Sequence, residues 1–311
     1  MEFLLYLALI PALGITAQWI AWRTRLPGIL LLLLFGMALG HFIEPDDFLQ
    51  DLTGGNDAAG PRLLFPLVSL SVAVIMLEGG LSLNLKELRE AGHSAFRLCT
   101  LGAVVSCTGV TIAAHYILEF GWRLSFLLGA ILVVTGPTVI GPLLRQVRPS
   151  KRVGTTLKWE GIVIDPIGAV LAVLVFDQLM MHIDQPSLGS AAFMLFETAV
   201  VGTGLGIAGG LLLAFAFRHY LIPDHLQGVA SLAIGLLIFA ISDHIASESG
   251  LISVTVLGLW ISNSSSLNIE SIIEFKENLR TLLIGCLFIV LGSRVNIDEV
   301  IAIGLPGLVF L

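Results

Sequence analysis

Charge is what this chain has least of: Asp, Glu, Lys and Arg together make up 13% of its 311 residues, against about 25% in soluble domains. With 56% hydrophobic residues and a mean hydropathy of +0.95, it lacks the polar surface that keeps a protein in water and is expected in a lipid bilayer. Cysteine is scarce too. Cys99, Cys107 and Cys286 all fall inside apolar runs, where a thiol behaves as a small hydrophobe, so no disulfide or metal framework follows. Hydrolytic motifs are missing as well. There is no G-x-S-x-G and no H-E-x-x-H, and the seven histidines sit near the ends of apolar runs. An intramembrane hydrolase, the alternative from a different functional class, would lack both a nucleophile with its base and a metal-ligand pair.

What is present is a succession of long apolar runs. The first, Phe3 to Trp22, is followed rather than preceded by its basic residues, Arg23 and Arg25, which reads as a true span and not a cleaved signal. The same length criterion places spans near 3–22, 26–43, 63–82, 95–118, 124–144, 159–181, 189–217, 227–243, 250–263 and 280–293. A last apolar stretch, Val300 to Leu311, covers only about 18 Å at ~1.5 Å per residue, so the chain is expected to be incomplete at its C-terminus. With the N-terminus outside, 13 of the 16 lysines and arginines fall on inner loops, an asymmetry that supports both layout and orientation. The outer loop Glu44 to Pro61 is acidic and glycine-rich, hence solvated. Asn84 to His93 and Asn268 to Leu279 mix charged and apolar residues and read equally well as interfacial helices or as inner loops. The glycines at 202, 204, 206, 209 and 210 form a small-residue face suited to a dimer or domain contact.

Two consecutive spans carry the chemistry. Asp165 lies in the middle of the sixth, in W-E-G-I-V-I-D-P-I-G. An aspartate at the centre of a spanning helix costs about 2.5–3.5 kcal/mol on insertion, and intramembrane carboxylates are functional by default. Desolvation favours the protonated form of any carboxylate, so one that holds either a proton or a cation, never both, would couple two flows by competition. The fifth span contains Gly136-Pro137 and Gly141-Pro142 and is expected to be broken. Pro137 leaves the Val133 carbonyl without its helical donor, Pro142 does so for Thr138, and Pro166 for Ile162. Unwound backbone at membrane depth offers such carbonyls to ions, and the hydroxyls of Thr135 and Thr138 add oxygens. Gly161, four residues before Asp165, shares its face, whereas Glu160 is turned away by about 140°. An all-oxygen set of this kind suits sodium or lithium. Glu78, at the inner end of the third span, is a boundary carboxylate or a lining of the inner funnel.

At these residues the chain resembles the sodium/proton exchanger type of monovalent cation:proton antiporters. The matching features are Glu78-Gly79-Gly80-Leu81, the Thr135-Gly136-Pro137 break, and Glu160 five residues before Asp165. The resemblance covers the whole chain in span order. It implies an all-α polytopic membrane protein whose broken fifth helix crosses near an acidic sixth. It implies further that Asp165 binds cation and proton, that Thr135 is a ligand at the crossover, and that Glu160 is structural. The pattern departs from the family where Gly136 stands for Asp, Ile164 for Asn and Gly161 for Ser. The arginine of a later G-L-R-G segment does not occur before Leu311.

Residues 1–311 are thus read as one transmembrane exchanger domain, incomplete at its C-terminus. The expected activity is electroneutral exchange of a monovalent cation, sodium first and potassium second, for protons by alternating access. The resident set holds no cofactor, the ions being the transported species. Expected partners are the bilayer, the ions and a second copy in a homodimer, with no nucleic acid, in the inner membrane of a prokaryote. A potassium-efflux or organic-anion carrier on the same fold, or a cation channel, is the alternative within transport.

Overall fold

A computed structural model describes residues 2–42, 59–180, 188–264 and 270–310, and the described residues form helices joined by short turns. The acidic loop at 44–57 and residues 268–269 lie outside them. The helices are α1 (Glu2–Thr24), α2 (Gly28–Phe42), α3 (Ala59–Leu81), α4 (Leu85–Arg97), α5 (Ala103–Ile117), α6 (Trp122–Ile131), α7 (Pro137–Val147), α8 (Lys151–Met180), α9 (Leu188–Arg218), α10 (Gln227–Ile245), α11 (Ser249–Ser262), α12 (Glu270–Ser293) and α13 (Ile297–Phe310). Among the described residues, five stretches are long and apolar enough to cross a membrane: Leu4–Thr24, Gly92–Ile117, Lys151–Phe176, Phe193–Arg218 and Gln227–Ile245. The other five expected spans correspond to shorter apolar helices, such as the 10-residue α6, which covers only about 15 Å alone.

The chain forms two compact units. The first comprises Met1–Ile75 with Glu274–Gly304. Its core joins Tyr6, Ile10 and Ala17 of α1, Leu32 and Leu39 of α2 and Ile289 of α12. Glycine lets the backbones meet: a Cβ on Gly36 would stand 2.6 Å from the Ile289 carbonyl oxygen, and one on Gly14 3.1 Å from the Gly285 carbonyl carbon. Gln18 Nε2 donates to the Thr281 carbonyl at 2.9 Å, a polar tie between two apolar helices.

The second unit, Met76–Ile273 with Leu305–Leu311, holds both chemistry-bearing spans. Asn84 caps α4 by accepting the Lys86 N–H at 2.9 Å, so the mixed stretch after the third span is a helix and not a loop. It runs on through a π-helical turn, Leu98–Gly102, into α5. The glycine face of α9 is spent inside the chain. Gly202, Gly206 and Gly210 meet Ile252, Val256 and Trp260 of α11, Gly209 meets Ile238 of α10, and only Gly204 faces open space. The small residues thus make an intrachain helix contact, and no dimer is needed to explain them.

Between α10 and α11, Glu248 adopts the left-handed conformation, with φ of 63°, while its N–H donates to Asp243 Oδ1 at 2.9 Å. Burial first, then the Asp243 carboxylate, pushes Glu248 above the usual carboxylate range. A raised folded pKa means that stability is lost as pH rises past the unfolded value of about 4.3. Glu248→Gly removes both the charge and the penalty for positive φ, and it should raise the thermal midpoint in detergent by the equivalent of ~1 kcal/mol. The gain should be larger at neutral than at acidic pH.

Candidate functional site

The fifth span is broken, but once rather than twice. α6 ends at Ile131, residues 132–136 are non-helical, and α7 begins at Pro137. Proline at the first position of a helix costs no hydrogen bond, which is why the break lies before it. Pro142, expected to open a second gap, is carried inside the continuous α7. Gly136 has φ 58° and ψ 134°, a backbone that side-chain-bearing residues rarely adopt. At the position where the resemblance calls for aspartate, this residue therefore supplies conformation and no ligand. The side chains of Pro137, Thr138 and Pro142 lie outside the described residues.

The broken segment meets α8 on a face marked by two glycines. A Cβ on Gly161 would approach Ile140 Cδ1 of α7 to 2.8 Å, and Gly168 meets Val134 in the break itself. Asp165 lies four residues after the first and three before the second, so it points along the same face into the gap between them. On its other flank Ile162 packs toward Gly79 of α3, where a Cβ would stand 3.7 Å from Ile162 Cδ1. Asp165 therefore occupies a seam between the broken span and the end of α3, about 21 Å along α8 from its first residue. It retains accessible surface, and its carboxylate makes no hydrogen bond to a described residue. The Val133 carbonyl, deprived of a donor by Pro137, lies in the break. The Ile162 carbonyl, deprived by Pro166, lies within the unbroken α8.

Thr135 engages Glu160, not Asp165. Its Oγ1 donates to Glu160 Oε1 at 3.0 Å, and Glu160 is buried while Thr135 is exposed. Sequence spacing had turned Glu160 away from Asp165. What spacing could not supply was that the break bends Thr135 back onto it. With its O–H donated in that hydrogen bond, the Thr135 hydroxyl oxygen still carries lone pairs that can accept. The Glu160 carbonyl in turn accepts from Cys99 Sγ, 3.8 Å away in the π-helical turn. Ile164, where the resemblance expects asparagine, is buried with Cys99, Cys107 and Val133. It contributes packing and no oxygen.

Glu78 is buried at 9% exposure, so it does not reach out of the helix packing as a snorkelling boundary carboxylate would. Beside it Trp159, Ile162, Leu83 and Ala95 form an apolar cluster.

Apolar helices, one of them unwound beside a carboxylate midway along its neighbour, define a multi-pass integral membrane protein. The chain belongs to the sodium/hydrogen exchanger family, whose transmembrane model matches residues 8–311. The K(+)/H(+) antiporter NhaP2 of Shewanella sp. (strain MR-4) is 26% identical over 310 residues, 99% of this chain and 52% of that protein. The K(+)/H(+) antiporter NhaP of Alkalimonas amylolytica is 27% identical over 299 residues, 95% of this chain and 50% of that one. The Na(+)/H(+) antiporter 1 of Methanocaldococcus jannaschii is 26% identical over 320 residues, 97% of this chain and 71% of the relative. The solved structure of the sodium proton antiporter MjNhaP1 from the same organism, at pH 8, matches in fold with a TM-score of 0.76 at 23% identity, covering 100% of this chain and 75% of that chain. The chain spans about half the length of the NhaP-type relatives.

Proposed function

We propose that the protein exchanges a monovalent cation, sodium in the first place, for protons across a membrane by alternating access. The observation that carries this reading is the placement of Asp165: mid-helix, bracketed by Gly161 and Gly168 against an unwound span, and without a hydrogen-bonding protein partner among the described residues. A carboxylate so placed takes a proton or a cation in turn, and a single charge exchanged for a single charge makes the cycle electroneutral. The Thr135 hydroxyl and the Val133 and Ile162 carbonyls complete the oxygen shell with water. Gly161 gives the room, Glu160 fixes Thr135, and Glu78 lines the inner approach. The ions are the only ligands in this reading, in a homodimer in the inner membrane of a prokaryote.

Potassium is the second reading, favoured by the relatives named as K(+)/H(+) antiporters. The test is reconstitution of the full-length protein and cation-dependent dequenching of a pH-gradient dye, with sodium, lithium and potassium in turn. Saturable sodium-driven proton movement that stops without a counter-ion is the expected result. Current without a counter-ion would assign a channel instead. Thr135→Val should raise the apparent KM for the cation by about tenfold, the worth of one lost oxygen ligand of ~1.4 kcal/mol. Thr135→Ser should restore it, with Vmax little changed in either.

A further inference from the structure

The Asp165 seam holds one more charged side chain, which the exchange cycle above leaves unused. Lys158 precedes Asp165 by seven residues on α8. Seven residues return the helix to within about 20° of the same face, about 10 Å nearer the end that carries the basic loops. Lys158 therefore stands in line with Asp165, between the α7 side marked by Gly161 and the α3 side marked by Ile162.

Its surroundings hold it there. Lys158 Nζ donates to the Ser82 carbonyl, in the turn between α3 and α4. The carboxylates that act on it are Glu87 of α4 and Glu78 of α3. On α8 itself the other carboxylates are Glu160 and Asp165. From α11 come neutral groups that pin the same turn. Ser262 Oγ and Asn263 Nδ2 donate to the Leu83 carbonyl at 2.9 and 3.1 Å, and Asn263 Oδ1 accepts the Leu85 N–H at 2.9 Å. The turn is fixed from two helices, and the ammonium has a fixed berth on it.

We propose that Lys158 sets the affinity of the exchange site: it is a tethered positive charge at the mouth of the seam that lowers the affinity of Asp165 for any incoming cation. The inference rests on the exchanger reading. Helical rise sets the two residues about 10 Å apart along α8, and unit charges at that separation, at an effective dielectric of ~20, shift a binding constant by roughly tenfold; this is an upper value, since Nζ is turned to the Ser82 carbonyl. Sodium and the proton carry the same charge, so the ammonium weakens both. Removing it has a pH-dependent signature. At alkaline pH, where few sites carry a proton, the apparent KM for the cation falls. At acidic pH the tighter proton cancels the tighter cation, and the apparent KM stays where it was. The whole activity profile moves toward alkaline pH.

The test compares wild type, Lys158→Gln and Lys158→Arg in vesicles of the full-length protein, measuring sodium-dependent dequenching across the pH range. Lys158→Gln keeps a donor for the Ser82 carbonyl but loses the charge. It should lower the alkaline KM by about three- to tenfold and shift the profile by about half to one pH unit, while Lys158→Arg matches wild type. A glutamine variant with reduced Vmax but unchanged KM and profile would make Lys158 a structural latch and overturn the proposal, as would an arginine variant that behaves like glutamine. Should Lys158→Gln not accumulate, Lys158→Met is read in the same way, and failure of both marks a folding residue and ends the proposal. Wild-type vesicles that move no protons in response to any alkali cation would remove the exchanger reading and this inference with it. Exchange in wild type with no effect of charge at position 158 removes this inference alone.

Discussion

Asp165→Asn should reduce cation-dependent proton movement to the level of empty vesicles. Asparagine keeps the size of the side chain and most of its packing between Gly161 and Gly168, but it neither takes up a proton near neutral pH nor offers a charge to a cation. Both halves of the competition vanish together, which is why the loss should be complete. Asp165→Glu separates charge from placement. Its extra methylene pushes the carboxylate toward Ile140 and Val134, the side chains that close on the two glycines, so exchange should survive with a weakened cation affinity. Full exchange by the asparagine variant would remove Asp165 from the site. The measurement is dye dequenching at matched protein density, with proper insertion of the variant checked by size-exclusion chromatography.

The second large effect is on folding. At the crossing of α3 and α11 two glycines put backbone against backbone. A Cβ at Gly80 would fall onto the Thr255 carbonyl oxygen and within 3.1 Å of its carbon, and one at Gly258 onto the Leu77 carbonyl oxygen and 2.8 Å from the Leu81 nitrogen. Main-chain atoms inside two packed helices cannot rotate aside as a side chain can. Gly80→Val or Gly258→Leu should therefore cost about 3 kcal/mol or more, at or above the upper end of ordinary overpacking. The readout is loss of the monodisperse peak and of membrane accumulation. Gly204→Ala is the control, since nothing lies within 4 Å of a Cβ there. It should be neutral or slightly stabilising, as alanine in a helix interior is favoured over glycine by up to about 1 kcal/mol. Tolerance of Gly258→Leu would mean that α3 and α11 do not cross this closely.

Much of this was legible in the chain because hydropathy and proline act locally. A run of apolar residues has to become a helix in lipid, where no water satisfies its backbone, and Gly136-Pro137 has to interrupt one. Asp165 stood out for the same reason, as a single carboxylate with apolar neighbours on either side. Even the face shared by Gly161 and Asp165 follows from helical period alone. What stayed illegible depends on which faces meet. Pro142 carried the same sequence signal as Pro137, yet α7 absorbs it without interruption. Glu78 sits at the end of an apolar run, where a carboxylate ordinarily reaches for water, but the packing of α3 in its unit buries it. The glycines of α9 suggested a contact and could not name the partner.

The sequence by itself determined that this is a multi-pass helical membrane protein, which span is broken, and that Asp165 is a carboxylate set among apolar residues midway along the span that follows. Each of those is a property of residues within one helix, set by their transfer to lipid and by the backbone donors that proline removes. Only the tertiary structure decided that Thr135 donates its hydrogen bond to Glu160, that Gly168 as well as Gly161 brings the broken span against α8, and that Lys158 is tethered to the Ser82 carbonyl. Those are contacts between helices, fixed by how closely two backbones can approach where side chains are absent, and no single helix carries that information.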